Sequence, residues 1–269
     1  MNEKPRVSNP DRLSGVRYNL YATLLDGFQN MLDARSIWAE YWGNSDIPKL
    51  TEDEFVEQQR KDFIDRINRV PFDRIPADRG TAFNEVVDCL ILGQKSEKMI
   101  IESDRQAGTI NAFYNGRNYT FPTSVSREFA AYYKGSVPQV YTHAVLPTIY
   151  GDVMLYGYID ELMPASVHDI KTTGKYSAGK FKNHWQHIVY PFCLNQNGNK
   201  VADFEYNILL INERRDGASY ETFTEYYAYD ADADIPRLTR HVESIIEFLE
   251  ENRGIISDKK IFNLHESNQ

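Results

Sequence analysis

The chain has few cysteines, no long apolar run and no excess of positive charge, and each shortage excludes a class of protein. Two cysteines, Cys89 and Cys193, among 269 residues are too few for a disulfide scaffold, a four-cysteine zinc site or an iron–sulfur cluster, and we expect reduced thiols. No stretch of about 18 apolar residues occurs, which argues against a membrane-spanning helix. The first residues lack the apolar segment of a secretory signal. We therefore expect a cytoplasmic protein with no membrane partner.

The charge balance is acidic overall but basic in one segment. The net charge is −9, from 30 Lys and Arg against 39 Asp and Glu, so the basic field of a DNA-coating protein is absent. Residues 171–201, in contrast, contain five lysines and no acidic residue. Such a segment can hold a polyphosphate backbone, although chance clustering of lysines explains it as well. The candidate backbone-binding residues are Thr172, Thr173, Lys175, Lys180 and Lys182.

The apolar periodicity predicts an α/β (α+β) protein of one domain. Helical spacing covers residues 17–42, 51–70, 80–92, 125–133, 180–195 and 235–252. Strand-like stretches are residues 99–101, 111–121 (a hairpin around Asn115-Gly116), 138–149, 152–163, 166–172, 204–212 and 221–229. The two prolines of residues 70–76 predict a loop there. This order favours a mixed sheet flanked by helices, with the N-terminal helices as an extension packed on it.

Two acidic residues and a lysine suggest a catalytic site on the central strands. Asp169 and Lys171 are two residues apart on one predicted strand, so their side chains share a face. Asp160 ends the preceding strand and lies beside Asp169 if the two strands form a hairpin. Two carboxylates and a backbone carbonyl form a hard oxygen site suited to Mg²⁺ or Mn²⁺. A lysine beside them can orient or deprotonate water, or stabilise charge on a phosphate. Metal-assisted phosphodiester hydrolysis is therefore predicted; a solvated hairpin with alternating charges is the alternative.

Two helices carry further candidates. Gln186 and Tyr190 are four residues apart and share one helix face, from which both can reach the same site. The helix after Gly80 carries Glu85 and Asp88, and a carboxylate there can complete the oxygen set of a metal. Ordinary solvated helix surfaces are the alternative in both cases.

Short motifs follow one another in a specific order and spacing: Gly157-x-Ile159-Asp160, Asp169-Ile170-Lys171-Thr172-Thr173 and Gln186-x-x-x-Tyr190. A glycine-led stretch, residues 79–88, precedes them. Together they resemble the PD-(D/E)xK nuclease superfamily, in particular the RecB-like exonucleases with a Gln-x-x-x-Tyr motif. The resemblance covers roughly residues 79–212.

The resemblance implies a restriction-endonuclease-like mixed sheet, with an αβββαβ core in residues 79–212. Residues 1–78 would be a helical extension, and residues 213–269 a C-terminal strand and helix. It also implies roles: Asp160, Asp169 and the carbonyl of Ile170 would bind Mg²⁺ or Mn²⁺, and Lys171 would be the catalytic lysine. Gln186 and Tyr190 would shape the site and contact the DNA.

The glycine-led helix departs from the family pattern. Asn84 stands where the family often has His or Glu, and Asn is a poorer metal ligand. Glu85 or Asp88 would then have to complete the metal site, although a shift of one residue turns a helix side chain by about 100°.

The function implied is that of a metal-dependent deoxyribonuclease. We expect an exonuclease of recombination, repair or phage DNA processing, encoded by a bacterium or phage. DNA is its implied partner, with a recombinase, single-strand-binding protein or helicase as a further one. The alternatives are a catalytically inactive nuclease fold that binds DNA or a protein, an unrelated α+β interaction protein, and a zinc site at His184-x-x-His187.

Overall fold

The computed structural model describes residues 15–71, 75–214 and 217–264. Helices and strands alternate along it in an α+β arrangement. The large sheet has six strands, β1 (Val16–Tyr21), β5 (Val137–Thr148), β6 (Gly151–Leu162), β7 (Ser166–Thr173), β8 (Asp203–Arg214) and β9 (Gly217–Ala228). A small antiparallel sheet has three, β2 (Ile100–Asp104), β3 (Thr109–Tyr114) and β4 (Arg117–Pro122). The helices are α1 (Ala22–Leu32), α2 (Ala34–Trp42), α3 (Glu52–Ile67), α4 (Ile75–Leu92), α5 (Thr123–Tyr132), α6 (Gln186–Gln196) and α7 (Ala231–Glu251), followed by a 3-10 turn (Lys259–Phe262).

The large sheet is mixed, and its central strand β6 has an interrupted edge. On one side β6 pairs with β5 in antiparallel fashion along nearly its whole length. On the other side it pairs with β1 in parallel as far as Tyr156, and with β7 in antiparallel fashion only at Glu161 and Leu162. The described ladders therefore leave a gap at residues 157–160, between the end of β1 and β7. β7 continues the sheet through a parallel pairing with β8, which pairs with β9.

Helices cover both faces of this sheet. The larger core joins α1, α6 and α7 to one face through side chains such as Phe28, Val189 and Ile245. The smaller core lies on the other face, where Phe83 of α4 and Phe129 of α5 pack with the small sheet. The predicted mixed sheet flanked by helices is confirmed at this level.

Local sequence signals explain several element boundaries. Thr51 caps α3 by accepting a hydrogen bond from the backbone N–H of Glu54, whose side chain bonds back to Thr51; the two bonds form a capping box. The hairpin of β3 and β4 turns at Asn115 and Gly116, whose φ angles of 46° and 75° are the positive values that this turn requires.

Three predicted boundaries are wrong. The segment predicted as the start of a helix at residues 17–21 is strand β1, because Tyr18 and Leu20 are buried on a strand that pairs with β6. The predicted loop of residues 70–76 ends earlier, since Ile75 and Pro76 form the first turn of α4, where proline is tolerated; residues 72–74 lie outside the described residues. The helix predicted from residue 180 begins at Gln186, after a series of turns.

None of the helices in the described part of the chain combines the length and apolar character that a bilayer crossing requires.

Candidate active site

A cavity of about 430 Å³ opens at the gap along β6. Its walls come from the end of β1 and the start of α1, from β6, β7, α4 and α6, and from the turn after α3. The lining residues are Tyr21, Ala22, Thr23, Arg69, Asn84, Tyr156, Gly157, Tyr158, Asp160, Asp169, Ile170, Lys171, Gln186 and Tyr190. The structure thus brings together Asp160, Asp169, Ile170, Lys171, Gln186 and Tyr190, all of which the sequence had singled out.

Asp160 sits where β6 and β7 separate. Its Oδ2 atom accepts a hydrogen bond from the backbone N–H of Ile170 at 2.9 Å. The carbonyl of Ile170 points to this same side of β7, since the N–H and C=O of one strand residue face the same neighbour. The pKa of Asp160 is raised to about 7, mainly by burial and in addition by the nearby charge of Asp169. This pocket therefore holds a carboxylate that a cation would stabilise.

Asp169, Lys171, Gln186 and Tyr190 form a chain of polar contacts. The Lys171 Nζ atom lies 2.7 Å from Asp169 Oδ2 and donates to Gln186 Oε1, also at 2.7 Å. The Gln186 amide donates to Asp169 Oδ1 at 2.7 Å and to the Tyr190 hydroxyl at 3.2 Å. Gln186 thereby fixes the lysine and the carboxylate relative to each other.

Lys171 keeps its positive charge in this setting. Burial by itself lowers the pKa of its ammonium group, but the carboxylates of Asp169 and Asp160 outweigh burial and the pKa is raised. The Nζ atom also lies 5.5 Å from the centre of the Tyr206 ring, whose π face favours a cation. At neutral pH the group is therefore an ammonium ion.

Gly157 lets α6 approach β6 closely. A Cβ atom on this residue would lie 2.6 Å from Cε1 of Tyr190 and 3.1 Å from its hydroxyl oxygen. The absence of a side chain at residue 157 thus allows the Tyr190 ring to reach Gln186.

Asn84 is the residue of α4 that reaches the cavity. Its Oδ1 atom is buried and has no hydrogen-bond partner, which is costly for a buried polar atom and leaves it available to a ligand. Two carboxylates, the Ile170 carbonyl and this amide oxygen are all hard oxygen donors of the kind Mg²⁺ and Mn²⁺ take. Among the described residues, no three His, Cys, Asp or Glu side chains come together as a metal site.

Glu85 and Asp88, the predicted further ligands, are not brought into the cavity. Glu85 accepts hydrogen bonds from Ser96 at 2.7 Å and from Lys98 at 2.5 Å. Asp88 is buried near Glu161, which is fully buried and accepts a hydrogen bond from Ser136. The helix turns both carboxylates away and presents Asn84 to the cavity, as the rotation of about 100° per residue requires.

The basic segment after β7 lies outside the cavity wall. Lys175, Lys180 and Lys182 are exposed. The Lys180 ammonium donates to the Thr173 hydroxyl at 2.7 Å, and the Lys175 ammonium lies 4.4 Å from the centre of the Tyr41 ring. Thr172 packs against Gly80, where a Cβ atom would lie 3.3 Å from its hydroxyl oxygen.

His184 and His187, the residues of the alternative zinc site, pack against aromatic rings. His187 is buried and stacks on the Tyr227 ring with 4.4 Å between centroids. Burial lowers the pKa of His184 to about 3 and that of His187 to about 4. Both cysteines are free; Cys193 is buried and Cys89 is partly exposed.

Several site residues gave no signal in the sequence. Asp26 is a buried residue of α1 that accepts a hydrogen bond from the backbone N–H of Trp185, directly before α6; burial raises its pKa to about 7. It holds the end of α6 from which Gln186 projects. Arg69 lines the cavity from the turn after α3, far from β6 in the sequence, so no local pattern connects it to Asp160.

Comparison with known proteins gives little further information. No family model and no curated protein matches the chain. Among solved structures, the crystal structure of SSO0001 aligns with a TM-score of 0.40 and 12% identity over 88% of this chain and 79% of that one.

Proposed function

We propose that this protein is a metal-dependent deoxyribonuclease built on a restriction-endonuclease-like core. The observation that carries the proposal is the convergence of Asp160, Asp169 and Lys171 in one cavity. The three residues come from two strands that part at this point. Their type and order are those of the PD-(D/E)xK motif that the sequence resembles.

A divalent ion is the cofactor that this donor set fits. Asp160, Asp169 and the carbonyl of Ile170 would hold it, with the amide oxygen of Asn84 as a further donor. Bound Mg²⁺ or Mn²⁺ supplies a Lewis acid for the phosphate and lowers the pKa of a coordinated water.

Lys171 would act as a fixed positive charge. Its raised pKa keeps it protonated at neutral pH, so it suits the stabilisation of negative charge on a phosphate better than the removal of a proton from water. Gln186 holds its ammonium group in place without neutralising it. The basic segment with Lys175, Lys180 and Lys182 would bind the DNA backbone beyond the cavity.

An exonuclease of recombination, repair or phage DNA processing remains our specific proposal within this class. A recombinase, a single-strand-binding protein or a helicase would be its partner, and a bacterial or phage-infected cytoplasm its compartment.

A DNA degradation assay tests the proposed activity. Fluorescently labelled DNA is incubated with Mg²⁺ or Mn²⁺ and wild type, Lys171→Ala, Asp160→Ala, or the control Lys200→Ala, which changes an exposed lysine outside the cavity. We expect the first two variants to lose at least about a hundredfold in rate, since each removes a group that stabilises the transition state, and the control to keep its rate. Thermal unfolding of each variant checks that it is folded. If both Lys171→Ala and Asp160→Ala retain wild-type activity, the proposal is wrong.

A catalytically inactive DNA-binding or protein-binding member of the same fold is the second candidate. It is favoured by Asn84, an amide where an acidic or histidine ligand is expected. Isothermal titration with Mn²⁺ separates the two: heat of binding that disappears in Asp160→Ala supports the nuclease, whereas DNA binding without metal binding supports the inactive protein.

A further inference from the structure

A cluster of four tyrosines borders the candidate active site. It consists of Tyr21 of β1, Tyr141 of β5, and Tyr156 and Tyr158 of β6, and we call it the tyrosine cluster. Ring centroids are 6.1 Å apart for Tyr21 and Tyr156, 6.4 Å for Tyr156 and Tyr141, and 5.2 Å for Tyr141 and Tyr158. These contacts form one continuous aromatic surface across three strands.

The sheet register produces this surface. Tyr21 is paired with Tyr156 in the parallel ladder, and Tyr141 with Tyr158 in the antiparallel one. Tyr156 and Tyr158 are two residues apart on β6, as are Tyr158 and Asp160. The aromatic surface therefore runs along β6 toward the carboxylate of Asp160.

Three of the four tyrosines face the cavity. Tyr158 is 49% exposed, Tyr21 and Tyr156 are half-buried, and all three line the same cavity as Asp160 and Lys171. Aromatic rings that line a concave site are typical of ligand-binding surfaces. The Phe28 and Phe63 rings, in contrast, are enclosed in the core.

Positive charge adjoins this surface. Arg69, which pairs with Asp258, lines the cavity and places its guanidinium 5.8 Å from the centre of the Tyr21 ring. Lys171 lines the same cavity and supplies a second cation. Flat rings with cations beside them are the combination by which proteins bind single-stranded nucleic acid, the rings for the bases and the cations for the phosphates.

We infer that the tyrosine cluster binds the unpaired bases of a single DNA strand and leads that strand to Asp160 and Asp169. In a duplex the faces of the bases are covered by their neighbours, so only an unpaired strand can stack on these rings. The inference rests on the proposed function, whose substrate it narrows to single-stranded DNA or to an unpaired end.

Binding rather than cleavage tests this inference. A fluorescently labelled oligothymidine and a blunt duplex of equal length are titrated with protein, and the dissociation constants are read from fluorescence anisotropy. Ca²⁺ replaces Mg²⁺, so that a hard cation still neutralises the carboxylates, and gels check that the DNA stays intact. The variants are Tyr158→Ala and Tyr158→Trp. The control is Tyr226→Ala, which removes a tyrosine of β9 that is 59% exposed and outside the cavity.

We expect Tyr158→Ala to weaken binding of the single strand by about tenfold, because one stacking contact is lost. Tyr158→Trp should retain wild-type binding, and Tyr226→Ala should not differ from wild type. Binding of the duplex should change by less than about twofold in every variant.

Equal losses for single strand and duplex, or no loss in Tyr158→Ala, would overturn the inference, and so would a wild type that does not bind the single strand. The proposed nuclease activity is tested independently of this inference. A protein that binds single strands through Tyr158 but hydrolyses no DNA would support the inference and contradict the proposed function.

Discussion

Asp160 must lose a proton before it can bind a cation. Burial and the charge of Asp169 raise its pKa to about 7, whereas metal ions bind the ionised carboxylate. Metal binding at this site and proton release from it are therefore linked.

This linkage predicts that Mn²⁺ binding strengthens as pH rises. Below pH 7 the carboxyl group is mostly protonated, so the association constant should increase by about tenfold per pH unit, and it should level off above that pH. Isothermal titration at several pH values between 5.5 and 8.5 measures this. The matched control Asp104→Asn changes an exposed aspartate of β2 and should keep the wild-type profile. A flat profile in the wild type would contradict the raised pKa of Asp160.

Among site residues, those that share one strand were the easiest to predict. Asp169 and Lys171 share a face because strands repeat every two residues, and the sequence alone shows that. Asn84, Glu85 and Asp88 lie on a helix whose rotation about its own axis depends on its packing against the sheet. The spacing of these three residues therefore does not show which of their side chains reaches the cavity. Asp26 and Arg69 depend wholly on contacts between distant segments.

The same distinction holds for the elements. Alternation of apolar residues and the Asn115-Gly116 turn predicted β3 to β7 closely, because those signals are local. β1 was missed because Tyr18, Leu20 and Leu24 also fit a helical repeat. What makes residues 16–21 a strand is their parallel pairing with β6, a long-range contact that leaves no local pattern.

The contact between β6 and α6 predicts a cost for any side chain at Gly157. In Gly157→Ala the new Cβ would lie 2.6 Å from the Tyr190 ring, so either the ring or α6 must move. We expect the free energy of unfolding to fall by about 1–3 kcal/mol, together with a weaker link between Tyr190 and Gln186. Chemical denaturation measures this change.

Gly254→Ala is the matched control for this experiment. The Cβ that it adds meets no atom within 4 Å, so its effect on stability should stay within about 0.5 kcal/mol. If the two variants were equally stable, the close approach at Gly157 would have no energetic consequence.

The whole molecule has a buried pair of acids whose protonation affects its stability. Asp88 and Glu161 are buried near each other, and burial is the main cause that raises the pKa of Asp88 to about 6 and that of Glu161 to about 8. These values exceed the ordinary carboxyl pKa values of 3.8 and 4.5. At a pH between the ordinary and the raised values, the folded protein therefore binds more protons than the unfolded chain. Its stability must therefore fall as pH rises through this interval.

Glu161→Gln should remove most of this pH dependence. The amide cannot ionise, yet it can still accept a hydrogen bond from Ser136 and donate one to Asp88. At pH 5 we expect wild type and variant to have similar free energies of unfolding, whereas at pH 8.5 the variant should be more stable by about 2 kcal/mol. Urea denaturation at both pH values measures the difference.

Glu102→Gln, at an exposed position of β2, should follow the wild type at both pH values. A constant difference between Glu161→Gln and wild type at all pH values would mean that Glu161 does not titrate in this interval.

The way β1 is held has a consequence for protein synthesis. Its Asn19 side chain donates a hydrogen bond to the carbonyl of Lys260, and its Val16 carbonyl accepts one from Asn263, so the last described residues fasten the first ones. A ribosome releases Asp160, Asp169 and Lys171 well before those residues leave its exit tunnel. The nascent chain thus carries these three residues for some time before Lys260 and Asn263 can hold β1 in place beside them.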